Sequence, residues 1–283
     1  MAYEALLDNH ERVKKAVMFY ERKKMPDDPD EYFCQEQPYK TLNLLMMEGT
    51  KGEYVRVCIE NQKPNGLIIR RWEKTLEVLT DIFTAQCAYA CHQAEAGAPL
   101  PNPLSRGDRR VNFDLMYAVG ATVALTSTSA GEVLATFVKK KQEPHALRFT
   151  LGEGIPYLDY ADFLGADYHY TEQREVLLPP MVQIQFGPCQ VKEWPGIGPV
   201  CHYDMKLIGF GTGIAYEDER KLIQTLVEYA SEAADGLDDL AQKWEDAAVF
   251  QDPDHAYWKW KAAFRQLVLQ RMQMIYERYY GEK

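Results

Sequence analysis

Apolar residues recur at helical spacing toward both ends of the chain. This periodicity predicts helices over 1–24, 37–49 and 72–96. It returns after Gly213 and predicts two long helices over 216–246 and 253–280, which the QDPDH segment separates. The chain is therefore expected to begin and end with helices.

The middle of the chain has a different pattern. From about residue 104 to 212, short apolar or alternating runs lie between Gly, Pro and Asp turns, which is typical of strands. One helix is predicted among them, near AGEVLATFVKKK. No regular alternation of strand and helix is visible, so the pattern indicates an α+β fold. The predicted organisation is an N-terminal helical segment (1–34), a catalytic domain (35–215) and a C-terminal helical extension (216–283).

Composition and charge narrow the classes of function. The net charge of -10 makes nucleic acid a disfavoured partner. No run approaches the roughly 18 apolar residues of a membrane span. The first residues, MAYEALLDNHERVKK, lack the apolar core of a secretory signal, so we expect a cytoplasmic protein, or one delivered into a target cell by another route. The six cysteines are irregularly spaced and are expected to be reduced thiols.

Three short segments carry candidate chemistry. Leu104-Ser105-Arg106-Gly107 begins the strand-rich region, and Leu125-Thr126-Ser127-Thr128-Ser129 ends a predicted strand. The third segment, Tyr170 to Pro180, places Gln173 and Glu175 directly before the apolar run Val-Leu-Leu-Pro-Pro. The first two motifs are common by chance, whereas an acid at the start of a buried strand is unusual.

In this order, the three segments resemble the Arg-Ser-Glu class of mono-ADP-ribosyltransferases, which includes the clostridial Rho-modifying exoenzymes and the catalytic domains of binary actin-modifying toxins. The likeness covers roughly residues 35–212, and Tyr39 and Asn43 match the Tyr…Asn helix of that class. It implies an ADP-ribosyltransferase fold, with two packed, mostly antiparallel sheets around an NAD cleft, N-terminal helices and, here, a C-terminal helical hairpin. It also implies NAD as substrate, no metal, and a bacterial toxin or effector that modifies a macromolecule, most often a protein.

The resemblance also implies roles for individual residues. Glu175 would stabilise the oxocarbenium ion that forms when the nicotinamide–ribose bond breaks, and Ser127 would hold that carboxylate in place. Arg106 offers a planar guanidinium to the pyrophosphate. The remaining residues expected to contact NAD are Gly107, Thr128, Ser129, Asn43 and Phe137, the last stacking on nicotinamide or packing in the core.

The residue two before the catalytic acid helps to set the acceptor in this class. Glu at that position accompanies arginine acceptors, and Gln accompanies asparagine, glutamine and some others. Because the apolar strand follows Glu175 directly, the relevant residue is Gln173, and Glu172 is out of register. We therefore expect a non-arginine acceptor, recognised by Gln173 and by Tyr170 on the same loop.

Two positions depart from the family pattern. Ser105 replaces the usual aromatic residue before the motif arginine, and Met47 stands where many toxins have a phosphate-binding arginine. Phosphate binding then falls to one of four residues: Arg106, Arg109, Arg110 and Arg148.

Other functions and sites stay open at this stage. The alternatives are an NAD glycohydrolase, a transferase acting on a nucleobase, and an inactive scaffold that binds NAD or a partner. Cys87, Cys91 and His92 lack further ligands for zinc and are interpreted as core residues. His169 is a candidate for substrate contact. The aromatic-rich last helix either packs on its neighbours or docks an immunity or regulatory protein.

Overall fold

A computed structural model describes residues 7–21, 37–47, 66–132, 135–139, 143–234 and 256–281. It confirms the α+β class. Helices precede and follow the strands, as the apolar pattern predicts, but three described helices interrupt the strands where one was predicted near AGEVLATFVKKK. The described helices are α1 (His10–Glu21), α2 (Pro38–Met46), α3 (Gly66–Arg70), α4 (Trp72–Glu95), α5 (Arg110–Val119), α6 (Ala135–Val138), α7 (Tyr160–Leu164), α8 (Glu219–Ala234) and α9 (Ala256–Tyr280).

Seven strands form the sheet, in the spatial order β4-β5-β2-β1-β3-β7-β6. Every neighbouring pair is antiparallel except β3 and β7, which run parallel. The strands are β1 (Leu104–Arg109), β2 (Thr126–Ala130), β3 (Pro144–Leu151), β4 (Leu158–Asp159), β5 (Glu175–Leu178), β6 (Val182–Trp194) and β7 (Gly198–Phe210).

The described strands belong to one hydrogen-bonded sheet, which corrects the expectation of two packed sheets. The sheet bends strongly: β5 is second from one end of the strand order and β6 is at the other end, although only residues 179–181 separate them in the chain. The segment leading into β2 also bonds to β6: the Thr122 amide donates to the Val182 carbonyl at 2.9 Å, and the Ile184 amide donates to that of Gly120 at 2.9 Å. This second connection brings β6 back beside the strand that carries Ser127 and Ser129.

The described residues divide into two compact units. One consists mainly of residues from Ala85–Gly211 and contains the sheet, and the other draws on Asn9–Thr84 and Thr212–Arg278 and is helical. The domain boundaries predicted after 34 and 215 stay a prediction, and the first lies outside the described residues. Helix α4 contributes residues to both units. A continuous helical pattern in the sequence therefore gives no signal of a division within it.

The helical unit is held by contacts between elements that are distant in the chain. Arg12 of α1 forms a two-pronged ion pair with the buried Asp81 of α4, at 2.8 Å for each bond. Lys261 of α9 donates to the Met47 carbonyl at the end of α2, at 2.6 Å. Tyr229 of α8 and Trp260 of α9 have ring centroids 6.0 Å apart. Packing thus accounts for the fully buried Trp260 of the last helix.

In the part of the chain that the structure describes, no helix has the length and apolar character needed to cross a membrane.

Candidate functional site

Glu175 and Ser129 occupy directly opposite positions on β5 and β2. Ser127 faces Leu177 in the same ladder, two pairs further along. The Ala130 amide donates to the Arg174 carbonyl at 2.9 Å, which makes Ala130–Arg174 a hydrogen-bonded pair. Glu175 and Ser129 therefore form the closer, non-hydrogen-bonded type of pair, with Cα atoms about 4.5 Å apart. Ser127, Ser129 and Glu175 share one face of the sheet and are each half-buried.

The backbone turns sharply just before Glu175. Arg174 has a φ of 44°, in the left-handed region that residues other than glycine seldom adopt. Such a conformation persists only where its surroundings enforce it, and it often accompanies a functional position. Strand β5 begins at Glu175, whereas Glu172 lies in an exposed 3-10 turn. This confirms the predicted register of Glu175 at the start of the strand.

Arg106 is held by the protein itself. Its Nε donates to Asp108 at 2.6 Å, and one terminal nitrogen donates to the Ser127 carbonyl at 2.9 Å. The Asp108 side chain is only 2% exposed, so this is an almost fully buried carboxylate. Alternation along β1 directs Arg106 and Ser105 to opposite faces, with Ser105 on the face of Ser129 and Glu175. Arg106 thus connects β1 to β2 on the face of the sheet opposite to the side chains of Ser127 and Ser129.

Ser105 is a small side chain on the same face of the sheet, between Ser129 on β2 and Arg148 on β3. It is buried, and its hydroxyl donates to the carbonyl of Gly131. Gly131 has a φ of 109°, and the space beside its Cα is open. At this φ a residue with a side chain would be strained, and its side chain would occupy the open space. Glycine therefore permits the turn and leaves the space open.

Arg148 extends the same face across the sheet. Register pairs Ser105 with Arg148 on β3, and Arg148 with Asp204 on β7. Arg148 therefore lies three strand spacings, about 14 Å, from Glu175. Its side chain is half-exposed, and the Glu132 carboxylate lies 4.0 Å away. It lines an open cleft of about 390 Å³ together with four other residues: Asn102, Pro103, Thr150 and Asp204.

Gly107 and Phe137 lie beside this face. A Cβ on Gly107 would come within 2.9 Å of the Phe137 backbone, so glycine is needed for α6 to approach β1. Val138, the next residue of α6, is fully buried against Ala146 and Val200. Phe137 itself is half-buried at the end of this helix. The structure thus gives Gly107 a packing role and leaves part of the Phe137 ring accessible.

Thr128 and Asn43, two further predicted NAD contacts, each form a side-chain hydrogen bond within the protein. Thr128 is buried, points to the face opposite Ser127 and Ser129, and donates its hydroxyl to the Val176 carbonyl at 2.7 Å. Its role is to hold β2 against β5. Asn43 belongs to the helical unit, where its side-chain amide donates to the Tyr20 hydroxyl at 3.0 Å. Thr128 therefore does not share a face of the sheet with Glu175.

An aromatic series supports the loop before Glu175. Tyr160 and Tyr168 are buried and stacked, with centroids 5.8 Å apart, and Tyr170 meets Tyr168 edge-on at 6.3 Å. The backbone N–H of Gln173 donates to the Tyr170 carbonyl at 2.9 Å and closes a short turn. Tyr170 and Gln173 are both half-buried on a loop whose base is anchored.

The cysteines and histidines form no metal centre in the described ranges. Cys87, Cys91, Cys189 and Cys201 are reduced thiols, and Cys34 and Cys58 lie outside the described residues. Burial raises the pKa of Cys87 well above its ordinary value, in agreement with a core residue. His169 is exposed on the loop that carries Tyr170.

Sequence reasoning missed Asp204 and did not single out Arg148 among the arginines. Alternating exposure along β3 and β7 is a signal that both side chains face outward. Their proximity depends on a parallel pairing between distant strands, which the local pattern does not reveal.

Comparison of the chain with known family models and with curated proteins found no match.

Proposed function

We propose that the protein is an NAD-dependent mono-ADP-ribosyltransferase acting on a non-arginine acceptor. The observation that carries the proposal is the placement of Glu175 opposite Ser129, with Ser127 two residues along β2 on the same face. The likeness of these segments to the Arg-Ser-Glu class gives the arrangement its chemical interpretation.

The reaction breaks the bond between C1′ of the nicotinamide ribose and the ring nitrogen of nicotinamide. The bonding electron pair leaves with nicotinamide, and positive charge develops on the ribose. The Glu175 carboxylate accepts a hydrogen bond from the ribose 2′-hydroxyl and stabilises that charge more in the transition state than in bound NAD. A nucleophilic acceptor atom then bonds to C1′ and loses its proton, so the products are ADP-ribosylated acceptor, nicotinamide and a proton.

The two serines keep the carboxylate in position. Ser129 is close enough to Glu175 for direct contact between side chains, and Ser127 is within diagonal reach of a long side chain. In the complex with NAD we expect their hydroxyls to donate to the carboxylate and to limit the rotamers it adopts. Arg106 acts on this group indirectly, because its bond to the Ser127 carbonyl fixes the strand that carries both serines.

Arg148 is our choice for the pyrophosphate. It is the exposed cation in the same row as Glu175, whereas Arg106 is tied to a buried carboxylate. Arg110 has Glu143 at 3.3 Å and Asp114 at 3.5 Å. The open space at Gly131 lets the dinucleotide run between Glu175 and Arg148. Phe137 supplies an apolar ring beside this path.

Gln173 and Tyr170 orient the acceptor. An amide side chain both donates and accepts hydrogen bonds, so it can align a neutral amide, whereas a carboxylate matches a guanidinium. The aromatic series behind Tyr170 holds the loop in a defined shape. The acceptor is therefore an asparagine or glutamine side chain, or another neutral group.

Incubation of the purified protein with NAD labelled in the adenosine half tests the proposal. We expect nicotinamide release and transfer of label to protein in a cell lysate. Label found only in free ADP-ribose would indicate a glycohydrolase, and label in nucleic acid would indicate a base-modifying enzyme. The absence of NAD turnover under all these conditions would contradict the proposed activity.

A further inference from the structure

Asp204 lies at the far end of the row that begins at Glu175. The row runs from Glu175 through Ser129 and Ser105 to Arg148 and Asp204, one position on each of five adjacent strands. Asp204 is exposed and lines the same cleft as Arg148. Its carboxylate is thus one strand beyond the proposed pyrophosphate-binding residue.

This order matches the order of groups along a dinucleotide. NAD consists of the nicotinamide ribose, the pyrophosphate and then the adenosine ribose. With the first group at Glu175 and the second at Arg148, the third comes to the strand that carries Asp204. The match rests on the proposed function, because it takes NAD as the bound molecule.

We infer that Asp204 selects NAD over NADP by accepting hydrogen bonds from the hydroxyl groups of the adenosine ribose. NADP carries a phosphate on the 2′ oxygen of that ribose, which removes the donor and adds up to two negative charges. A carboxylate a few ångströms away repels this phosphate and has no proton to donate to it. Other dinucleotide-binding proteins use an acidic residue on this ribose for the same discrimination.

Nearby charges show why Asp204 decides the outcome. Glu132, the carboxylate beside Arg148, adds to the repulsion. Lys206 lies two residues further along β7 on the same face and is exposed. Once the charge at position 204 is removed, Lys206 is the cation available to a 2′-phosphate. The selectivity for NAD therefore depends mainly on the Asp204 carboxylate, which outweighs the neighbouring Lys206.

The test compares kcat/KM for NADP and NAD in the wild type and in Asp204→Asn. We expect wild type to prefer NAD, and Asp204→Asn to raise the NADP-to-NAD ratio by roughly tenfold, mainly through KM for NADP. Glu193→Gln removes one charge from the exposed β6–β7 hairpin and should leave the ratio unchanged. Adding Lys206→Gln to Asp204→Asn should reverse most of the gain.

Binding measurements separate this inference from the proposed activity. Calorimetry with Glu175→Gln, alone and combined with Asp204→Asn, gives the ratio of Kd values for NADP and NAD without turnover. If wild type cleaves NAD and neither ratio responds to Asp204→Asn, the selectivity role is wrong and the transferase proposal stands. If wild type binds the dinucleotides with an Asp204-dependent ratio but cleaves neither, the transferase proposal is wrong and the selectivity role stands. Failure to bind either dinucleotide overturns both.

Discussion

Glu175 and Ser129 face each other across β5 and β2 as a non-hydrogen-bonded pair. This places the Ser129 hydroxyl nearer to the base of the Glu175 side chain than the diagonal Ser127 is. The resemblance to the Arg-Ser-Glu class implies that Ser127 holds the Glu175 carboxylate. The strand register makes Ser129 a second candidate for this role, and the nearer of the two to Glu175.

Alanine substitutions distinguish the two serines. We expect Ser129→Ala to lower kcat for nicotinamide release by about tenfold, and Ser127→Ala to lower it by less. KM for NAD should change little in either variant, because the hydroxyls act on the carboxylate. Steady-state kinetics of both variants measures this difference. A larger loss in Ser127→Ala would mean that the carboxylate leans along the strand toward the diagonal position.

Substitution of two exposed arginines locates the pyrophosphate. Arg148→Gln removes the cation in the row of Glu175 and should weaken NAD binding by about tenfold while preserving kcat. Arg110→Gln is the matched control, because Arg110 is also exposed but belongs to α5 and pairs with Glu143. Calorimetric titration with NAD gives Kd for each variant. Equal affinities for NAD in both variants and the wild type would remove Arg148 from the site.

The pair of Arg106 and Asp108 should govern stability. Arg106→Met leaves an almost fully buried carboxylate without its cation and should lower the free energy of unfolding by about 3 kcal/mol. Adding Asp108→Asn removes that charge, so the double variant should lose less than the sum of the two single variants. Urea denaturation gives the free energy of unfolding of the wild type, the two single variants and the double variant. Additive losses would show that the two side chains are not coupled.

His202 should make the fold sensitive to acid. Burial, and then the positive charge of Lys192, lower its pKa below the ordinary value of 6.5. The native state thus binds a proton less readily than the unfolded state. Stability from this histidine is complete above about pH 6.5 and is lost as pH falls toward the lower, native pKa.

The corresponding variant is His202→Phe, which keeps a ring against Trp194, at 5.3 Å in the native protein. Between about pH 7.5 and pH 5.5, the variant should lose less stability than wild type. Urea denaturation at both pH values checks the difference. Equal losses would show that His202 does not contribute to the acid sensitivity.

Local patterns predict some elements closely and leave the sheet undetermined. Helix α4 spans Trp72–Glu95, against a prediction of 72–96, because a strong helical period ends there at Gly97. Glu175 begins its strand as predicted, since apolar residues follow it without interruption. Strand order has no comparable local signal, because it depends on pairing between distant segments. The sequence therefore places Arg148 and Asp204 in the strand-rich region, but only the parallel pairing of β3 and β7 brings them together.

The direction of side chains within a motif was also beyond the local pattern. Ser127, Thr128 and Ser129 are adjacent in sequence, yet the strand directs Thr128 away from its neighbours and into a bond with β5. Arg106 likewise has a ready partner two residues along the strand, in Asp108. The sequence motif alone suggests that all of these residues contact one ligand. In a strand, successive side chains point to opposite faces, so only some of them face the same ligand.

The rate of nicotinamide release by Glu175→Gln tests the central claim most directly. The amide retains the size of the side chain but lacks the charge that stabilises the oxocarbenium ion, so we expect a loss on the order of a hundredfold or more. Glu172→Gln is the control, since Glu172 lies exposed in the preceding turn and should retain near wild-type activity. Wild-type activity in Glu175→Gln, or an equal loss in Glu172→Gln, would contradict the assignment of Glu175 as the catalytic carboxylate.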